Sequence, residues 1–156
     1  MMLSDKQKEL IEKIGIYFEQ VMPPAAARIL ALLIVSDQDS FGFDEIRSNL
    51  NLSKSATSNG LNALLSVQKI EYYTKTGDRK RYFKWKPTST INHFKTEIEK
   101  ILGLNNLLEN ALQLKQDKES YNAKMLGELS DLMHYLYKET STVYEQWKEN
   151  KQQKVY

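Results

Sequence analysis

The first third of the chain carries apolar residues at the spacing of amphipathic helices. They recur at intervals of three and four residues from Leu10 to Val21, after a Ser-x-x-Gln capping box that begins at Ser4. Pro23-Pro24 ends this helix. Because proline suits the first turn of a helix, a second helix is predicted from Pro24 to about Val35. This second helix is apolar almost throughout, so we expect it to be buried on most sides.

Shorter elements follow in the middle of the chain. A loop over residues 36–42 is rich in turn-forming residues and precedes a short helix whose predicted N-cap is Asp44. Ser53 is the predicted cap of the next helix, which extends to about Gln68. Residues 70–74 and 81–85 are rich in aromatic residues that favour strands, and the Gly and Asp between them suit a tight turn. This segment therefore predicts a β-hairpin.

Two long helices are predicted for the rest of the chain, the first capped by Ser89 or Thr90. Apolar residues in both helices alternate at steps of three and four, which is the spacing of a coiled-coil seam. Asn105 falls at a core position of the first seam or faces solvent near a bend at Gly103, and the sequence supports both interpretations. The seam residues are Ile91, Phe94, Ile98, Ile101, Leu108 and Leu112, then Leu126, Leu129, Met133, Leu136, Thr140, Val143 and Trp147.

The order of these elements predicts the fold. A short helix, a three-residue turn, a second helix and a basic hairpin form a winged helix-turn-helix. We therefore expect a mainly α fold with a small β-hairpin wing and long dimerisation helices. Residues 1–22 are expected to form an N-terminal helix that packs on the dimerisation region, residues 23–88 the DNA-binding domain, and residues 89–156 the C-terminal helical dimerisation region. Apolar residues outside the seams, among them Leu104 and Leu132, predict a homodimer.

Composition narrows the chemistry of the chain. It has 156 residues, a formal net charge of +2, no cysteine and two histidines, His93 and His134, in separate segments. The lack of cysteine excludes disulfides, thiolate–zinc sites and cysteine nucleophiles, and the sequence contains no catalytic or phosphate-binding motif. We therefore expect no enzymatic activity, no cofactor and no metal site. No apolar run approaches the roughly 20 residues that span a bilayer, and no secretory signal is visible, so we expect a cytoplasmic protein without membrane contact.

Positive charge is concentrated in one part of the chain. Residues 46–86 contain nine basic and two acidic residues, whereas residues 91–156 contain nine basic and ten acidic residues. No Asp or Glu lies between Glu45 and Glu71. Such asymmetry indicates a surface that faces a polyanion, and the polyanion that a winged helix-turn-helix binds is double-stranded DNA.

The helix after Ser53 divides into an apolar and a polar stripe. Thr57, Leu61 and Leu64 are expected to face the core, whereas the polar side chains are small or carry amides and can reach base edges and phosphates. Gly60 indicates a close approach, either to DNA or to the preceding helix. Cations at the hairpin tip suit an adjacent minor groove or the DNA backbone. The predicted DNA-binding residues are Ser53, Lys54, Ser55, Ser58, Asn59 and Asn62 on the helix, with Lys75, Arg79, Lys80 and Arg81 on the wing.

Three of these segments resemble the MarR superfamily of bacterial regulators, within it the branch similar to the regulator of glycine betaine synthesis (GbsR-like). They are PPAAARI at residues 23–29, LSKS at 52–55 and GDRKRYF at 77–83. The resemblance implies a homodimeric transcriptional regulator, most often a repressor, in which the first and last helices form the dimer interface. Two positions depart from the pattern, because Ala27 and Gln68 stand where related sequences have glycine. We expect the turn at Gln68 to differ locally, since glutamine fits a left-handed conformation poorly.

These patterns together predict a sequence-specific, double-stranded-DNA-binding transcriptional regulator that acts as a homodimer. The resemblance further implies a repressor under the control of a small-molecule effector. Aromatic residues such as Tyr17 and Trp147 could hold a quaternary ammonium ligand, although aromatic residues at helical spacing are more often core residues. Two alternatives remain open. One is a winged helix that binds another protein through Tyr72 and Tyr82, and the other is an architectural DNA binder without sequence preference. The operator, the target genes and the direction of regulation do not follow from the sequence.

Overall fold

The computed structural model describes residues 3–153. Residues 1–2 of the predicted N-terminal helix and residues 154–156 of the predicted C-terminal region lie outside this range. Two compact units divide at Thr90 and Ile91. None of the described helices is long and apolar enough to cross a membrane.

The elements are α1 Asp5–Phe18, α2 Pro24–Val35, β1 Phe41–Gly42, α3 Phe43–Asn49, α4 Lys54–Ser66, β2 Ile70–Thr74, β3 Arg81–Trp85, α5 Pro87–Gln113 and α6 Tyr121–Gln153. The predicted mainly α fold with a hairpin wing is confirmed.

Helix α1 begins as predicted, with the Ser4 side chain accepting from the Gln7 backbone amide and the Gln7 side chain accepting from the Ser4 amide. It ends at Phe18 rather than at the predicted Val21, whose side chain is 79% exposed. Within the first unit α1 packs along α2. Its predicted packing on the dimerisation region stays a prediction.

Arg28 connects these two helices electrostatically. Its guanidinium pairs with the carboxylates of Glu19 and Glu12, the latter at 3.1 Å between Nε and Oε2. The hydrogen bond that Arg28 donates to Glu19 and the charges of both carboxylates raise the pKa of Arg28, so the side chain stays charged while it spans α1 and α2.

Helix α2 forms the centre of the first unit, as its apolar sequence predicts. Seven of its twelve residues are buried, because the helix is enclosed by α1, α4 and the sheet. Ile29 and Leu32 of this helix are fully buried beside Ile46 of α3 and Leu64 of α4. This core therefore fixes α4 on one side and leaves its opposite side to solvent.

The helix-turn-helix differs from the prediction at the start of α3. Gly42, not Asp44, occupies the N-cap, and the Gly42 amide donates to Oε2 of Glu45 at 2.6 Å. Asp44 is an exposed residue of the first turn, where its charge still favours the positive end of the helix. The turn before α4 contains Asn51 in a left-handed conformation with φ 49°, which Asn tolerates better than most residues.

The wing belongs to a three-stranded antiparallel sheet in the order β1-β3-β2. The hairpin of β2 and β3 was predicted, whereas β1 was predicted as loop, because a two-residue strand carries no readable periodicity. Phe41 pairs with Phe83 and Gly42 with Tyr82. Strand β3 is therefore paired on both edges. Gln68, before β2, has φ 56° and so keeps the left-handed conformation that glycine would favour, contrary to the expected local difference.

The second unit consists of most of α5 together with α6. Helix α5 begins at Pro87 rather than after the predicted caps Ser89 or Thr90. Asn105 is 1% exposed, which confirms its predicted core position and excludes the solvent-facing alternative. The Ser130 hydroxyl of α6 donates to Oδ1 of Asn105 at 2.8 Å, and Nδ2 of Asn105 donates to Oε1 of Glu109 at 2.8 Å. A satisfied polar group therefore joins the two helices.

Candidate nucleic-acid interface

The start of helix α4 is set by Ser53, which the sequence predicts as its N-cap. The Ala56 amide donates to the Ser53 hydroxyl at 3.1 Å, and the Thr57 hydroxyl donates to the Ser53 carbonyl at 2.9 Å. Thr57 is fully buried together with Leu61 and Leu64, so the predicted apolar stripe is confirmed as the core-facing side. These contacts determine which residues of α4 point outward.

Gly60 lies on the buried side of α4, and its role is packing. A Cβ at this position would come within 3.1 Å of the Ala26 backbone nitrogen and 3.2 Å of the Ala25 carbonyl carbon. The close neighbour is therefore α2, rather than DNA or the preceding helix α3. The absence of a side chain lets the two helices approach each other closely.

The outward side of α4, together with its N-cap Ser53, contains the six predicted contact residues. All of them are exposed, and the helix contains no acidic residue. Their hydroxyl and amide groups can donate and accept hydrogen bonds, so this side can match base edges as well as phosphates. The six residues are Ser53, Lys54, Ser55, Ser58, Asn59 and Asn62.

The tip of the wing is ordered by Asp78. Its Oδ1 accepts from the Lys80 amide at 2.9 Å and its Oδ2 accepts from the Tyr82 hydroxyl at 2.7 Å. Both hydrogen bonds stabilise the carboxylate, so the pKa of Asp78 is lowered and that of Tyr82 is raised. Gly77 supplies the left-handed residue of the turn, with φ 82°. The acidic residue of the tip thus shapes the loop that carries the cations.

The four predicted wing cations, Lys75, Arg79, Lys80 and Arg81, are all exposed. Within the described residues 3–153, none of their charged side-chain nitrogens lies within 4.0 Å of a carboxylate oxygen, and the same holds for Nζ of Lys54. Their positive charges are therefore available to an external anion.

The cations nearer the base of the wing are engaged differently. Lys84 and Lys86 both pair with Glu71, at 3.0 and 3.8 Å, and the hydrogen bond from Lys84 lowers the pKa of that carboxylate. The free charge of the wing is consequently concentrated toward its tip. The ten predicted contact residues thus occupy the outward side of α4 and the distal wing, both within the first unit.

Aromatic residues support the wing through contacts that the sequence did not predict. Tyr73 and Tyr82 stack with ring centroids 5.7 Å apart, and the Tyr73 and Ser40 hydroxyls lie 2.9 Å from each other. The ammonium of Lys75 lies 4.2 Å from the centre of the Tyr82 ring. The alternation of aromatic and basic residues from 70 to 85 was the available signal, because facing strands place such pairs within contact distance.

This arrangement defines a winged helix-turn-helix protein. The chain is 27% identical over 129 residues to the HTH-type transcriptional regulator MmpR5 of Mycobacterium tuberculosis, covering 82% of this chain and 78% of that protein. A crystal structure of a transcriptional regulator is similar with a TM-score of 0.60 and 25% identity, covering 92% of this chain and 99% of the other. No family model matches the chain.

These similarities confirm the predicted resemblance to MarR-superfamily winged-helix transcriptional regulators. The narrower GbsR-like assignment stays a prediction. Because both proteins are transcriptional regulators, they also support the prediction that the chain is not an enzyme.

Proposed function

We propose that this protein is a homodimeric transcriptional repressor that binds double-stranded DNA sequence-specifically, with α4 in a major groove and the wing on the adjacent minor groove or backbone. The observation that carries the proposal is that all ten predicted contact residues are exposed. Five of the ten are cations, and none of these five forms an ion pair within the described residues. Such a surface can bind the phosphates of a duplex through charge and its bases through amides.

The proposed homodimer is supported by the second unit. Among its described residues only Asn105, Ala123 and Ser130 are buried, so the two helices enclose almost no apolar core. Large apolar side chains lie open instead, including Leu107 at 66% and Val143 at 63% exposure. Exposed apolar surface of this extent is typical of an interface. A twofold-symmetric dimer would present two α4 helices to half-sites about one helical turn apart.

Control by a small-molecule effector is a further part of the proposed function. Exposed aromatic residues of α6, such as Tyr121 and Tyr135, could surround a quaternary ammonium ligand in the assembled dimer. Thermal unfolding with choline, betaine or carnitine should show a higher midpoint if one of them binds the folded state. An unchanged unfolding midpoint with all three compounds would exclude quaternary ammonium compounds as effectors. A repressor of chromosomal genes acts in the cytoplasm, where we place the protein.

The salt dependence of DNA affinity tests the function. A dimer that contacts six to eight phosphates should give a slope of log affinity against log salt of roughly −5 to −7. Replacing Arg79 or Arg81 by Ala should weaken all duplexes similarly and reduce the slope, because these residues are proposed to bind phosphates. Replacing Asn59 or Asn62 by Ala should instead reduce discrimination between sequences.

The same experiment separates the alternatives. Salt-sensitive binding without discrimination would indicate an architectural DNA binder. Binding that is absent at low salt would favour a protein-binding winged helix. The contacts of Tyr82 argue against that alternative, because its ring stacks on Tyr73 and lies under Lys75, while its hydroxyl donates to Asp78.

A further inference from the structure

Arg81 is the wing cation that lies against an aromatic ring next to the core. The carbon Cζ of its guanidinium lies 4.6 Å from the centroid of the Tyr72 ring. In the hairpin Thr74 is opposite Arg81 and Tyr72 is opposite Phe83, so Arg81 and Tyr72 are diagonal neighbours on one face. The contact is therefore built into the register of the two strands.

This face of the hairpin is the one that continues into the core of the first unit. Ile70 and Phe83 project from it and are buried in the same cluster as Leu61 and Leu64 of α4. The rings of Tyr72 and Phe83 lie 6.1 Å apart at 55°, so the buried Phe83 fixes the Tyr72 ring that in turn carries Arg81. Lys75 lies over Tyr82, which alternates to the opposite face. Arg81 thus stands on the α4 side of the wing.

The geometry of a stacked guanidinium leaves it free to bind DNA. A planar guanidinium contacts a ring through its face, while its five N–H groups point outward in the plane and remain available to phosphate or base-edge oxygens. A flexible arginine loses rotamer freedom when it binds, and a preorganised one has lost that freedom already. Tyr72 is 45% exposed, so the pair is located at the surface and not within the core.

We propose that Tyr72 is a positioning residue that holds Arg81 on the α4 side of the wing in the free protein, and so strengthens DNA binding without contacting DNA itself. This inference rests on the proposed function. It assigns Tyr72 a role toward a side chain of its own chain, in contrast to the alternative that Tyr72 docks another protein.

The test is a double-mutant cycle on full-length protein, with a duplex of about 30 base pairs of random sequence at low salt as the probe. Tyr72→Leu should weaken binding about two- to tenfold, because the Arg81 side chain must then lose its rotamer freedom on binding. Tyr72→Phe should bind like the wild type because it keeps the ring. In an Arg81→Ala background Tyr72→Leu should cause no further loss. In a Lys54→Ala background it should cause the full loss, because Lys54 is a cation of α4 outside the pair.

The outcomes distinguish this inference from the proposed function. Equal losses from Tyr72→Leu in the Arg81→Ala and Lys54→Ala backgrounds would overturn it, since Tyr72 would then act independently of Arg81. Loss of affinity in Tyr72→Phe would overturn it as well, because the hydroxyl would be the active group. If Arg81→Ala and Lys54→Ala both bind like the wild type, the proposed DNA interface itself is wrong. Unfolding midpoints of each variant show whether a loss reflects misfolding.

Discussion

A Cβ on Gly60 would lie 2.8 Å from Cδ1 of Ile29, so helix α4 can pack this closely on α2 only because residue 60 has no side chain. The contact sets the depth at which the proposed recognition helix is seated. The position of the outward residues of α4 therefore depends on the packing of its opposite side against α2.

Gly60→Ala should therefore lower the free energy of unfolding by about 1–3 kcal/mol, the range of an overpacked core. This loss is expected although alanine is the better helix former by about 1 kcal/mol. Gly103→Ala is the matched control, because nothing lies within 4 Å of a Cβ there, and it should stabilise the protein slightly. Urea unfolding of both variants at one protein concentration makes the measurement. Equal stabilisation of both would contradict the close packing of α4 on α2.

Gln68 holds a left-handed conformation between α4 and the wing with φ 56°. Gln68→Gly should raise the free energy of unfolding by about 1 kcal/mol, because glycine adopts this conformation without steric cost. Asn51 has φ 49° in the other left-handed turn, and Asn51→Gly should change stability much less, since Asn tolerates the conformation. Chemical unfolding compares the two, and a destabilised Gln68→Gly variant would show that its side chain matters more than its backbone.

The charge of Asp78 and its hydrogen bonds predict opposite effects of the Asp78→Ala substitution on DNA affinity. Charge alone predicts that Asp78→Ala binds DNA more tightly, because an acid near phosphates is removed. We expect about two- to tenfold weaker binding, because the loop loses the hydrogen bonds to the Lys80 amide and the Tyr82 hydroxyl and its cations must be ordered on binding. Asp44→Ala removes an exposed acid at α3 without this role and serves as the control. Tighter binding by both variants in titrations with duplex DNA would refute the ordering role.

Asn105 and Ser130 form the buried polar contact of the second unit. Asn105→Ala should cost about 1–3 kcal/mol of unfolding free energy, because it leaves the Ser130 hydroxyl buried without its acceptor. The double variant Asn105→Leu with Ser130→Ala should recover most of this loss, since neither polar group remains. Asn106→Ala, at the exposed neighbouring position, should change stability by less than about 0.5 kcal/mol. A double variant no more stable than Asn105→Ala would argue against the hydrogen bond as the cause.

Local sequence rules account for most of the elements and for the exposed residues of the site. The capping box at Ser4, the cap at Ser53 and the first-turn proline of α2 depend on neighbours within four residues, so the sequence alone predicts them. The stripe of Thr57, Leu61 and Leu64 is likewise a property of helical spacing.

The features that the sequence did not predict depend on contacts between residues that are distant along the chain, or on a choice between two residues that both fit the local pattern. Gly42 occupies the N-cap of α3 instead of Asp44, because the Glu45 carboxylate accepts a hydrogen bond from the Gly42 amide. Either residue fits the local pattern. Strand β1 exists because β3 offers it a partner about 40 residues away. The contact of Tyr72 with Arg81 requires the strand register, which the hairpin turn alone left undefined.

Selection of bound duplexes from a random pool by the purified protein, repeated at low and at physiological salt, shows whether the protein recognises a DNA sequence. We expect a pseudo-palindrome with half-sites about one helical turn apart, which binds more weakly as salt rises. We also expect the Asn59→Ala and Asn62→Ala variants to select a less specific motif. No enriched motif at either salt would contradict sequence-specific recognition by a dimer that uses α4 and its wing.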